Sequence, residues 1–306
     1  MAVRQITNTV LLVKPKRFYK NDQTATTNFF QQGDLDADEA TKRCHDEFFG
    51  LQEILRKQGV SVILFEQTNP DAVDAIFPNN WFSTHDDGTL VLYPMYAKNR
   101  RLERSPALID DFKRRFACTR VVDLTHFESK DKFCEGTGSL VLDRLFKIAY
   151  CALSPRSDIE VIEAYCDALG YQSLVFHATQ EHESSRVPIY HTNVMMSLGE
   201  GFATVCLDSI ESSAERNKLL ASLERTGKKV IEISLAQMSE FAGNSLQILG
   251  SQDRSLLALS ERAYKSLLPE QIKSYESFVM PIFAPLGTIE ELGGGSARCM
   301  IAEIFL

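Results

Sequence analysis

Apolar residues along this chain change their spacing in a regular order. Over residues 38–58, Cys44, Phe48, Leu51 and Leu55 recur at helical intervals and Gly59 follows as a stop, so an amphipathic helix is expected there. Residues 60–65 then read as a strand, and Phe77-Pro78-Asn79-Asn80-Trp81 as a loop. The same order returns four more times. A helix near residues 105–116 leads through strand 120–124 to the loop Cys134-Glu135-Gly136-Thr137-Gly138 and to strands 139–142 and 146–151. A third helix, aligning Ile159, Ile162, Cys166 and Leu169, leads to Tyr190-His191-Thr192-Asn193 and strand 194–197. A fourth, near residues 211–226, leads to Ala242-Gly243-Asn244-Ser245, and a fifth, near residues 256–278, leads to Gly293-Gly294-Gly295-Ser296-Ala297-Arg298-Cys299.

With Asn80, Glu135, His191, Asn244 and Cys299 as markers, the steps are 55, 56, 53 and 55 residues. So even a spacing implies one supersecondary unit used five times. No unit can bury its strands alone. The pattern therefore predicts an α/β fold whose units form a ring, with residues 10–13 completing the last sheet and the polar loops meeting at the centre. Generic alternation of helix and strand in a doubly wound sheet is the competing reading, and it predicts no common meeting place for the loops. One domain spanning residues 1–306 is expected.

Composition narrows the partners. With 44% hydrophobic and 24% charged residues, the chain can bury a large core. A formal net charge of -8 disfavours nucleic acid, whose phosphates require a positive surface. No apolar run approaches the roughly 20 residues that span a bilayer, and the first residues lack the layout of a signal peptide, so a cytoplasmic protein with no membrane partner is expected. The seven cysteines, at 44, 118, 134, 151, 166, 206 and 299, are odd in number and scattered, which fits neither a disulfide framework nor a zinc site. His126-Phe127-Glu128 begins like a zinc deaminase signature, but no Pro-Cys-x-x-Cys follows; the glycine run lacks the Gly-Lys-Ser/Thr ending of a phosphate loop. No metal site is expected.

What the loops contain points to thiol chemistry. Cys299 follows a run of glycines whose amides are free to donate, and Arg298 precedes it; a cysteine needs such donors or a cation before its thiolate attacks at neutral pH. His191, one of six histidines, stands at a loop-to-strand junction, where an imidazole can protonate a leaving amine and later deprotonate water. Glu135, in a glycine-rich loop, can orient that imidazole.

These residues resemble a known superfamily. Phe77-Pro78-Asn79-Asn80, Glu135-Gly136-Thr137-Gly138, His191-Thr192-Asn193 and Gly294-Gly295-Ser296-Ala297-Arg298-Cys299-Met300 are similar to the motifs of the guanidino-modifying (pentein) enzymes, the arginine deiminases and amidinotransferases, over essentially the whole chain. Arg4-Gln5-Ile6-Thr7-Asn8 and Asn80-Trp81-Phe82-Ser83-Thr84-His85 look most like the citrulline-utilization hydrolases. The resemblance implies a five-bladed α/β propeller with Cys299 as nucleophile, His191 as general acid/base and Glu135 as the third catalytic group, with no cofactor required. Asn80 and Asn193 fall where arginine deiminases carry aspartates that grip a guanidinium. An amide, with an acceptor and two donors, suits a neutral ureido group better.

The expected substrate is therefore citrulline or a related ureido amino acid, cleaved to ornithine, ammonia and carbon dioxide. A guanidino substrate, or a non-catalytic binding module, are the alternatives. Residues 21–31, poor in aliphatic side chains, read as a mobile flap, and the resemblance places the equivalent stretch beside the substrate, with Asn28 as a contact. Arg298 and Arg186 are candidate partners for the substrate carboxylate. The sequence leaves the oligomeric state open, a homo-oligomer included.

Overall fold

A computed structural model describes residues 3–116, 118–183 and 185–306. Its sheets are short and built to one plan. In each of five three-stranded sheets, a middle strand pairs antiparallel with an inner strand and parallel with an outer one. Ile148–Ala152, for example, lies between Val141–Asp143 and Gln172–Phe176. Phe82–Thr84, Thr89–Leu92 and Arg120–Asp123 repeat the pattern, as do Met196–Leu198, Phe202–Val205 and Lys229–Glu232, and then Leu246–Leu249, Ser255–Ser260 and Met280–Ala284. The remaining sheet joins the two chain ends. Thr9–Lys14 pairs antiparallel with Ala302–Glu303 and parallel with Ser61–Glu66.

Parallel pairing needs a crossover, and a helix supplies it in every unit. These are Ala37–Lys57, Pro106–Arg115, Ile159–Leu169, Ser213–Arg225 and, in the fifth unit, the pair Glu261–Ser266 and Pro269–Glu276. The single long helix expected over residues 256–278 is therefore corrected. Its first residues form the strand Ser255–Ser260, since Leu256, Leu257 and Leu259 are buried on both sheet faces, and Pro269 divides the remainder into two short helices. The strands expected at 139–142 and 194–197 begin later, at Val141 and Met196, because helical turns occupy Gly136–Ser139 and Thr192–Met195.

Alternation along the middle strands ties neighbouring units together. Val10 and Leu12 share an apolar cluster with Leu246, Ile248, Leu256 and Ala258 of the fifth unit, whereas Leu11 and Val13 pack with Phe82, Leu90 and Leu92 of the second. Val91 packs with Leu142 and Ala149, and Val141 and Tyr150 share a cluster with Phe202, Leu257 and Leu259. Cys44, Phe48, Leu51 and Leu55, the expected helix face, are buried against the first and fifth sheets.

Candidate active site

Each inner strand is entered through a tight turn, and these turns hold the marker residues. Asn80 ends the turn Pro78–Asn80; Glu135 and His191 stand at the N-terminal caps of Gly136–Ser139 and Thr192–Met195; Cys299 lies within Ala297–Met300. Two glycines explain how closely the turns approach. Gly136 has φ +49, and a Cβ there would lie 2.2 Å from the Asn79 carbonyl oxygen. A Cβ on Gly138 would lie 2.4 Å from Asn80 Nδ2 and 2.8 Å from His191 Nδ1.

Cys299 and His191 line one cavity, with Asn80, Asn28, Asp74 and the glycines 293–295. His191 Nε2 is 2.8 Å from Glu135 Oε2. A carboxylate at that distance accepts a hydrogen bond from Nε2–H, which leaves Nδ1 as the basic nitrogen. Burial pulls the His191 pKa down to about 4, against the opposing pull of Glu135, so the imidazole is neutral at rest. For Glu135 burial alone would raise the pKa, but Arg156, His191 and Arg100 outweigh it and hold the carboxyl well below its usual range. Its Oε1 also accepts from the Tyr96 N–H at 2.9 Å. A neutral ring backed by an ionised carboxylate can accept a proton and carry it as imidazolium.

The Cys299 sulfur lies within reach of two side-chain amides, Nδ2 of Asn244 at 3.2 Å and Nδ2 of Asn193 at 3.5 Å. Asn80 Oδ1 accepts from Arg100 Nη1 at 2.8 Å, and its Nδ2 donates to Asn79 Oδ1 at 3.1 Å. Asn28 donates from Nδ2 to the Gly294 carbonyl at 3.2 Å. The segment read as a mobile flap is fastened down: Thr24 Oγ1 donates to Gln31 Oε1 at 3.1 Å, Gln31 Nε2 donates to the Leu292 carbonyl at 3.1 Å, and a short helix, Asp22–Ala25, runs through it.

Arg298 is not brought into this cavity. Its guanidinium turns away to Glu303 Oε2 at 2.9 Å and the Ile301 carbonyl at 3.0 Å, which removes it as a partner for a ligand beside Cys299. Arg186 lies on the hairpin Thr179–His182/Ser185–Pro188, paired with Glu211 at 3.0 Å. Two other arginines do reach the cavity. Arg100 and Arg156, both buried, line the cavity and reach Glu135 Oε2 at 3.8 and 3.4 Å. Arg156 also contacts Thr24 and Thr27 and lies over the Tyr190 ring at 5.0 Å. Asp74, three residues before Phe77, lines the same cavity with its Oδ1 unpartnered. Neither arginine sits at a repeat position, so spacing gave no signal for them; Asp74 adjoins the first motif and was the more findable.

Residues 14–306 match the family model described as N,N dimethylarginine dimethylhydrolase, eukaryotic. The chain belongs to that family, within the guanidino-modifying pentein superfamily. No curated protein matches the chain. Among solved structures, the family member's fold is similar to the N-terminal domain of ArgZ, an arginine dihydrolase of the ornithine-ammonia cycle in cyanobacteria, captured with its substrate (TM-score 0.75, 17% identity, 97% of each chain). AgrE in complex with L-arginine is similar at TM-score 0.75 and 19% identity, over 98% of this chain and 40% of that one. DDAH from Pseudomonas aeruginosa, complexed with citrulline, aligns at TM-score 0.67 and 12% identity over 99% and 100% of the two chains. At these identities the likeness is one of fold. Among the described residues no helix is long and apolar enough to cross a membrane, and no group of three or more His, Cys, Asp or Glu side chains is placed to hold a metal.

Proposed function

We propose that this protein is a cysteine hydrolase that cleaves a C–N bond of a ureido amino acid, with citrulline as substrate. The observation that carries this reading is the meeting of Cys299, the His191–Glu135 pair and Asn80 around one cavity. In the same reading the five units close into a propeller with the cavity at its centre, and the enzyme works in the cytoplasm without a cofactor.

The choice of a ureido head group rests on the donors and acceptors that Asn80 has to offer. Asn80 has one N–H and one lone pair left after its contacts with Asn79 and Arg100, which matches a group that both accepts and donates. The Arg100 guanidinium beside Asn80 is gripped by Glu103 at 2.7 and 2.9 Å, which leaves Asn80 to meet the head group through its amide alone. At the other end, Arg156 suits an α-carboxylate, and the unpartnered Asp74 oxygen suits an α-ammonium. The citrulline complex of the Pseudomonas protein puts a ureido amino acid on a similar fold, where it is also what hydrolysis of dimethylarginine would leave behind.

The chemistry then runs in two steps. His191 Nδ1 takes the Cys299 proton as sulfur attacks the ureido carbon; the imidazolium returns that proton to the departing amine, the C–N bond breaks, ornithine leaves and a carbamoyl thioester remains. His191 next deprotonates water, which attacks the thioester, expels the thiolate and yields carbamate, which falls apart into ammonia and carbon dioxide. A guanidino substrate is the second reading, favoured by the family's description and the arginine complexes of similar folds. Purified enzyme given citrulline, arginine or dimethylarginine separates the two. Ornithine and ammonia from citrulline, abolished in Cys299→Ala, are expected; turnover of arginine or dimethylarginine with citrulline untouched would overturn the ureido reading.

A further inference from the structure

The fourth unit contributes a residue whose contacts the two-step chemistry leaves unused. Asn244 is fully buried, and its side chain makes three hydrogen bonds. Oδ1 accepts from the Arg298 N–H at 3.1 Å; Nδ2 donates to the Asn193 carbonyl at 3.1 Å and faces Cys299 Sγ at 3.2 Å. The first contact fixes the amide's orientation, because a backbone N–H requires an oxygen opposite it. The NH₂ end is thereby directed at the sulfur. Gly243 holds the turn in place, since a Cβ there would lie 2.3 Å from the Val194 carbonyl oxygen.

The remaining groups around the sulfur do other work. His191 is bound through Nε2 to Glu135, and Arg298, next in the chain, spends its guanidinium on Glu303. Asp74, Arg100, Arg156 and Tyr190 share the cavity, and among the described residues none of these hydrogen-bonds Sγ. A thiol that gives its proton to His191 is met, besides that ring, by the side-chain amide N–H groups of Asn244 and Asn193.

We propose that Asn244 is a positioning residue that activates Cys299, donating an N–H to the sulfur as it ionises while its oxygen holds the Cys299 turn in register. The role rests on Cys299 being the nucleophile of the proposed hydrolase, but not on which substrate it attacks. Asn193 supplies a second, longer amide contact of the same kind.

Alkylation of Cys299 by iodoacetamide across a pH series, located by peptide mass spectrometry, reads the sulfur without any substrate. Asn244→Asp keeps the oxygen that accepts from Arg298 but sets an acceptor in place of the donor. Its alkylation profile is expected to move toward higher pH by about one unit or more, with kcat for citrulline reduced at least about tenfold and KM changed little. Asn244→Ala, which loses both contacts, is expected to slow alkylation and also to lower Tm. A profile for Asn244→Asp that overlays the wild type, in a protein of unchanged melting temperature, would overturn the proposal, as would a wild-type Cys299 that resists alkylation throughout. A shifted profile in an enzyme that leaves citrulline intact would uphold the role of Asn244 and reject the substrate.

Discussion

The His191–Glu135 pair sets the pH behaviour of the site. Because burial holds the imidazole near 4, well below its ordinary 6.5, the neutral base persists through mildly acid solution. The pH profile of kcat/KM is expected to lack a limb near 6.5 and to fall only toward pH 4. A limb at 6.5 would show that the ring is solvated in the working enzyme. Stability follows the same sign. Between 6.5 and 4 the unfolded chain binds a proton that the folded chain refuses, so acid costs about 3 kcal/mol over that window, and Glu135, depressed in the fold, adds to the loss below 4.5. Glu135→Gln removes the charge that supports imidazolium. It is expected to lower kcat by about 10²–10⁴, and an unchanged kcat would deny Glu135 its part. Legibility at this scale was uneven. Cys299, His191 and Glu135 could be singled out because each stands in a glycine-rich or junction loop of rare composition. Arg100, Arg156 and Asp74 could not, because arginines and aspartates are common and only the fold shows which are buried around the cavity. Arg298 misled for the opposite reason: adjacency in sequence to Cys299 does not give adjacency of side chains, which point apart on the turn Ala297–Met300.

Short turns matter more than their length suggests, since they bring inner strands within contact distance. Gly136→Ala combines a positive φ with a clash against the Asn79 carbonyl, and a cost of at least about 1–2 kcal/mol is expected from the backbone alone. Gly287→Ala, with open space around it and no positive φ, serves as the control. A fall of about 3 °C or more in Tm for the first and none for the second is expected; equal melting temperatures would show that the turns do not meet as tightly as described. The first four crossover helices were legible from periodicity, which is why Cys44, Phe48, Leu51 and Leu55 could be placed on one buried face, whereas the middle strands Thr89–Leu92 and Phe202–Val205 were not singled out. Residues 256–278 were not legible, because a leucine-rich middle strand buried on both faces has no period-2 signature and reads as helix. The helical turns at Gly136–Ser139 and Thr192–Met195 were hidden too, being set by packing of one turn on another and not by local propensity.

Across the molecule, residues more than 160 positions apart share a cavity because one unit is repeated at a nearly constant step and its equivalent turns pack on one another. The repeat was visible as spacing, and residues 10–13, expected to complete the last sheet, lie in the strand Thr9–Lys14 that pairs with Ala302–Glu303. What spacing could not supply was the chemistry of the fourth position: Asn244 has the right interval but reveals its direction toward sulfur only in three dimensions. That a thiol, an imidazole and a carboxylate from three units act together on one carbon is tested most directly by acid-quenching the enzyme during turnover of citrulline and mapping the adduct by mass spectrometry. One carbamoyl group on Cys299, accumulating when deacylation is slowed and absent in Cys299→Ala, is expected. Ornithine release with no adduct on Cys299, or with the adduct on another residue, would contradict it.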